Sequence, residues 1–114
     1  MSDCIFCKIV NREIPATIVY EDECVLAFND INPVAPVHVL VIPKQHIESV
    51  SQLNKENSGI LSNIYLAINK IAEKLGVKGN GFRVIVNNGK DGGQVVYHLH
   101  FHLIGGKSLG NLIL

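Results

Sequence analysis

"VVYHLHFHLI", residues 95–104, alternates imidazole and apolar side chains, and its period decides the fold. A period of two belongs to a strand with chemically different faces. On such a strand His98, His100 and His102 share one face, while Tyr97, Leu99, Phe101 and Leu103 share the other and face a core. Imidazole is costly to bury without a partner, so the histidine face is directed to a cleft, a metal or a ligand. Three imidazoles in this order either bind a metal or act on an anionic substrate as nucleophile and proton donors.

The residues just upstream bear on that choice. "NNGKDGGQVV", residues 87–96, supplies three glycines and an Asn pair, so backbone N–H groups can approach an anion without Cβ interference. Asn88-Gly89 and Asp91-Gly92 are also good turn pairs for any hairpin. Beside His98 and His100 the turn fits a phosphate cradle. A metal oxygenase would want a carboxylate beside a His-x-His pair, and no Asp or Glu follows His98. That weighs against metal catalysis.

Elsewhere the pattern predicts strands over "TIVYED" (17–22), "CVLAFND" (24–30), "VHVLVIP" (37–43) and "FRVIVNN" (82–88), the first two forming a hairpin. Asp3 can cap a short helix reaching about Asn11. A long helix is expected over 55–75, with Asn54 as cap and Gly76 as stop. Its Ile60, Leu61, Ile64, Tyr65, Ile68, Ile71, Ala72 and Leu75 fall within an arc of about 140°, wide enough to pack on a sheet. Leu66 lies outside that arc, either as an exposed Leu or as a contact with another chain. With strands dominating both ends and the long helix between them, the class is α+β: an antiparallel sheet of about five strands with one long and one short helix.

At 114 residues the chain reads as one domain, 1–114. Ten basic residues cancel ten acidic ones, which removes the diffuse charge that nucleic acid or an anionic membrane would need. No apolar run approaches the roughly 18 residues of a membrane span, and the N-terminus lacks a basic segment ahead of an apolar one; a soluble, cytoplasmic protein is expected. Cys4 and Cys7 form Cys-x-x-Cys, which in a reducing compartment suggests metal or redox use, or else two small residues on the first helix. Cys24 alternates like a core strand residue.

His98-Leu-His100-Phe-His102-Leu-Ile matches in full the signature of the histidine triad (HIT) family, His-x-His-x-His followed by two apolar residues. "CIFCKIVNREIPATIVYED", "LAFNDINPVAPVHVLVIPKQHI" and "GGQVVYHLHFHLIGG" extend the resemblance over nearly the whole chain, to the nucleotide-binding branch of that family. The resemblance implies hydrolysis of purine nucleoside phosphoramidates and related adenylated substrates, with release of AMP or GMP through a nucleotidyl-histidine intermediate. It makes His100 the nucleophile, groups His38 and His102 around the α-phosphate, and leaves His98 behind them or on a metal. Asp30 and Ile31 match positions that hold the ribose and base, Phe6, Ile9, Ile14 and Phe28 the base pocket, and Asn87, Gly93, Gln94 and Val95 the phosphate side.

Bacterial members with Cys-x-x-Cys here bind zinc, which the resemblance carries to Cys4, Cys7, His46 and His98 as a structural site. Catalysis itself then needs no metal. The resemblance further implies a homodimer with sheets continued across the two-fold axis. Some members have Ser where this chain has Val95, and the tail "GGKSLGNLIL" has none of the tryptophan that longer-tailed members place near the partner's site. A zinc-stabilised nucleotide-binding or interaction module with negligible turnover is the alternative function.

Overall fold

A computed structural model describes residues 3–111. The elements run α1 (Ile5–Val10), β1 (Ile18–Glu21), β2 (Val25–Asn29), β3 (Val37–Pro43), a 3-10 turn (Val50–Gln52), α2 (Ile60–Lys74), β4 (Phe82–Val86) and β5 (Phe101–Gly105). The five strands form one antiparallel sheet in the order β1-β2-β3-β5-β4. The class is therefore the expected α+β, with one long and one short helix.

The strands alternate, and the two helices take opposite faces of the sheet. Val25, Ala27, Val39, Val41, Leu99, Phe101 and Leu103 pack with Ile64, Ala67, Ile68 and Ile71 of α2. Leu26, Phe28, Leu40 and Ile42 pack with Phe6 and Ile9 of α1. Covered on both sides, β3 reads as a near-continuous apolar run, broken at His38. Because α1 has only 6 residues, it leaves part of its face uncovered, and the histidines emerge there. Ile71 is wholly buried in the larger cluster. Ile71→Ala should cost about 3–4 kcal/mol, read as a lower urea midpoint at unchanged m; a midpoint within experimental error of wild type would mean that α2 is not what closes that core.

Several boundaries differ from expectation. α1 is capped by Cys4, not Asp3, with the Cys4 sulfur accepting the Cys7 N–H at 3.3 Å. α2 begins at Ile60 rather than 55: Asn54 Oδ1 instead accepts the Glu56 and Asn57 N–H groups at 2.9 and 3.0 Å, closing a separate turn. Gly76 ends the helix at φ +77° as anticipated. Ala67, missed by the arc, is buried, while Tyr65 is half-exposed with its ring edge on Phe101. Cys24 is exposed rather than in the core, because β2 starts one residue later at Val25. The final strand starts at Phe101 instead of Val95, so Val95 and Tyr97 face outward, and Tyr97 is not a core residue.

Candidate active site and metal centre

A cleft of about 1000 Å³ opens beside α1 on the sheet face that the helix leaves uncovered. Phe6, Ile9, Ile14 and Phe28 form an apolar wall, Asp30 and Ile31 the rim after β2, and Asn87, Gly93 and Val95 the opposite rim, with His100 and His102 also lining it. Phe6 sets its ring edge against Phe28 at 5.4 Å and stands perpendicular to His100 at 5.2 Å, so the apolar wall and the imidazole floor are in contact. Nine of the ten residues assigned from sequence to the nucleotide line this cleft; Gln94 does not. Leu40 and Val96 line it unannounced, although Leu40 stands two residues from His38 on the same face of β3.

Hydrogen bonds fix the imidazole tautomers. His100 Nδ1 lies 2.7 Å from the His98 carbonyl oxygen, which can only accept, so Nδ1 carries the proton and Nε2 the lone pair. Burial holds His100 below its ordinary pKa against that bond and the Asp30 charge, keeping the ring neutral at pH 7. The Val34 N–H donates to His38 Nδ1 at 3.2 Å, which puts the His38 proton on Nε2. That Nε2–H faces Asp30 Oδ2 at 3.3 Å and His102 Nδ1 at 3.0 Å. His38 is buried behind His102 and does not itself line the cleft. Burial first, then the His100 and His38 charges, lower the His102 pKa.

Asp30, His38 and His102 also place ligand atoms within 4.8 Å of one another, so a carboxylate does reach the histidines, from the β2–β3 connection and not from downstream of His98. The expectation drawn from its absence downstream is corrected here. The bonding still opposes a cation, because the Val34 N–H occupies the nitrogen that would need its own proton if His38 Nε2 bound a metal.

The glycine turn is built otherwise than expected. The Gly93 and Gln94 N–H groups are spent on Lys90 and Gly89 carbonyls at 3.1 and 3.0 Å. Among the described residues the Val95 N–H makes no hydrogen bond, and its side chain is 86% exposed at the lip. Gln94 is buried: its Oε1 accepts from Gly89 N–H at 2.9 Å, and its Nε2 donates to the Glu48 and Val96 carbonyls. It braces the turn from behind. Gly92 is obligatory, since a Cβ there would stand 2.5 Å from the Asn88 carbonyl oxygen.

His98 sits apart from the cleft with Cys4, Cys7 and His46, the four ligand atoms lying within 4.8 Å of one another. Nδ1 of His98 is 3.3 Å from Cys4 Sγ, 3.6 Å from Cys7 Sγ and 3.2 Å from His46 Nδ1, and Cys7 Sγ is 3.3 Å from His46 Nδ1. Tetrahedral zinc, with bonds of about 2.0–2.3 Å, separates its ligands by about 3.3–3.8 Å. The spacings, the soft donor set and the tautomer all fit: His98 Nε2–H donates to the Pro43 carbonyl at 2.8 Å, leaving Nδ1 to ligate. Burial drives His98 down to about 4, so it is a neutral ligand at any physiological pH. The Leu99 N–H donates to the Ile47 carbonyl at 2.6 Å and so brings His46 alongside His98. Neither this bond nor those of Val34 and Pro43 has a signature in the sequence.

The HIT domain profile matches residues 11–109. A purine nucleoside phosphoramidase of Escherichia coli is 46% identical over 109 residues, 96% of this chain and 92% of its own. A HIT family hydrolase from Clostridium thermocellum superposes with a TM-score of 0.98 at 54% identity, covering 100% of this chain and 99% of that one. A histidine triad protein from Clostridium difficile gives 0.96 at 56% identity over 99% and 98%. With the complete triad, this sheet and these relatives, the chain belongs to the HIT domain family.

Proposed function

We propose that this protein is a nucleotide-binding hydrolase that cleaves purine nucleoside phosphoramidates and related adenylated substrates to AMP or GMP, with His100 as nucleophile. The observation that carries it is the 2.7 Å bond from His100 Nδ1–H to the His98 carbonyl, which commits the Nε2 lone pair to attack. The similarity to a phosphoramidase and a HIT hydrolase supports the substrate class. The base lies against Phe6, Ile9, Ile14, Phe28 and Ile31, and Asp30 accepts from ribose hydroxyls. His102, Asn87, Gly93 and the Val95 N–H surround the phosphate, with His38 behind His102 and Gln94 behind the turn.

His100 Nε2 bonds to phosphorus as the bond to the leaving amine breaks, and the amine departs with a proton from water or a neighbouring imidazole. Water then attacks the same phosphorus, the phosphorus–Nε2 bond breaks, and the nucleotide leaves. No step is assigned to a metal. Zinc on Cys4, Cys7, His46 and His98 is a structural centre that joins α1 to the segment carrying the triad. The exposed Leu66 and Tyr65 on α2 and the open edge of β4 support a homodimer. No helix among the described residues is long and apolar enough to cross a membrane, and we place the protein in the cytoplasm. Incubation with adenosine 5′-phosphoramidate should release AMP and ammonia in equal amounts; AMP binding without turnover would leave only a binding module.

Val95 sets a leaving-group prediction. Its apolar, exposed side chain offers no proton to the departing amine. Val95→Ser should raise kcat/KM for alkylamine phosphoramidates about tenfold, or about 1.4 kcal/mol, and change acidic leaving groups far less. Equal effects on both classes, compared in one rate series, would rule out the proton-donor account.

A further inference from the structure

We infer that residues 47–51 act as a strap that sets the phosphate turn against His100, with Ser51 and Gln94 as its positioning residues. This rests on the nucleotide reading proposed above and deepens it.

Residues 87–100 join β4 to β5 and belong to no strand, so the sheet does not fix where the turn sits. Hydrogen bonds at Asn88, Gln94 and Leu99 run instead to one short segment. The Ser51 N–H and hydroxyl both meet Asn88 Oδ1, at 2.8 and 3.0 Å. Gln94 Nε2 donates to the Glu48 carbonyl at 2.7 Å, and the Leu99 N–H to the Ile47 carbonyl at 2.6 Å. The segment is itself anchored: Ile47 is buried in the core beneath α2, Ser49 is buried, and the Gln52 N–H closes the 3-10 turn on the Ser49 carbonyl at 3.0 Å.

The pinned residues alternate with those that line the cleft. Asn87 lines it and Asn88 does not; Val95 lines it and Gln94 does not. Each residue placed at the phosphate is therefore held through the neighbour that reaches the strap. Gly92 links the two ends of the turn. It lies so close to the Asn88 main chain that a Cβ would stand 2.5 Å from the Asn88 carbonyl oxygen, so a shift of Asn88 carries Gly92 and Gly93 with it.

Stability and register separate here. Ser51 and Asn88 are exposed, so water can replace their bonds at little cost to the fold. Water cannot restore the position of the turn. A group misplaced by about 1 Å can slow a reaction on the order of a hundredfold. The nucleoside wall stands outside this arrangement, because Phe6, Ile9 and Phe28 pack in the cluster on the other face of the sheet from Ile47. Loosening the strap should therefore weaken phosphate recognition and turnover while nucleoside recognition survives.

The test compares wild type, Ser51→Ala, Ser51→Thr, Asn88→Ala and the double alanine variant. Calorimetry gives affinities for AMP and for adenosine, single-turnover kinetics with adenosine phosphoramidate give the rate, and circular dichroism reports the fold. Asn88→Ala should bind AMP about tenfold more weakly and react at least about tenfold more slowly, with adenosine affinity within about twofold. Ser51→Ala should lose about threefold in AMP affinity and rate, since its N–H still reaches Asn88. Ser51→Thr keeps the hydroxyl and should recover both. The double variant should be no worse than Asn88→Ala, which already removes both bonds.

A folded Asn88→Ala protein with unchanged AMP affinity and rate overturns the strap. Equal losses for AMP and adenosine also overturn it, since they report a general loosening of the cleft, and additive losses in the double variant overturn the pairing of Ser51 with Asn88. If Asn88→Ala unfolds, the serine variants decide: a loss in Ser51→Ala that Ser51→Thr recovers supports the strap, and identical behaviour of the two overturns it. Wild-type protein that binds neither AMP nor adenosine overturns the nucleotide reading itself, a result distinguishable from failure of the strap because it precedes any substitution.

Discussion

Replacing His100 by alanine is expected to slow turnover at least about a thousandfold while AMP still binds. The residue is buried at the floor of the cleft, with its proton held on Nδ1 by the His98 carbonyl and Nε2 left as the nucleophile. Its removal takes away the atom that forms the covalent bond. Affinity should survive, because Phe6, Ile9 and Phe28 also pack among Leu26, Leu40 and Ile42, and Asp30 lines the rim. Single-turnover kinetics give the rate and calorimetry with AMP gives the binding. A mutant retaining near-normal kcat would remove His100 from the chemistry, whereas loss of AMP binding together with the fold would show the ring to be a packing element.

Cys4→Ser is expected to abolish metal binding and lower stability by at least about 3 kcal/mol, roughly 10 °C for a chain of this size. Serine suits this position well apart from the metal, since Cys4 caps α1 and serine is a better cap than cysteine. The substitution therefore removes a ligand without removing the helix start. Metal analysis should find about one zinc per wild-type chain and none in the variant, and thermal melts should show the difference shrinking when wild type is stripped. A wild-type protein without zinc would return Cys4 and Cys7 to small residues at the start of a helix.

The alternation of residues 97–104 carried the most information, because a side-chain period of two survives even where strand hydrogen bonds are missing. His98 and His100 keep their side of the sheet although β5 begins only at Phe101. The opposite face was legible for Leu99, Phe101 and Leu103, but not for Tyr97, which stands half-exposed ahead of β5 and lines a hollow with Cys4, Cys7 and His46. The start of α2 was misplaced because Asn54 caps equally well a helix or the isolated turn it makes.

Within the site, residue types were legible and their partners were not. The triad and the Cys-x-x-Cys pair are visible as motifs, and the resemblance joined them through His46 and His98. The Val34 N–H and the Pro43 carbonyl, which decide which imidazole can take a metal, belong to main chain that any residue could supply. Gln94 looked like a phosphate contact by position, yet its amide is consumed in bracing the turn. Asp30 reaches the imidazoles from far upstream because β3 and β5 are neighbours, which spacing along the chain does not reveal.

The central claim is a covalent nucleotidyl-histidine at His100, and rapid-quench intact-mass spectrometry of the wild-type protein during turnover of adenosine phosphoramidate tests it most directly. Quenching in alkaline denaturant preserves the acid-labile phosphorus–nitrogen bond. The expected result is a transient mass increase of one adenylyl group, mapping to His100 and absent from His100→Ala. Turnover without any such adduct, or an adduct on another residue, would contradict the account.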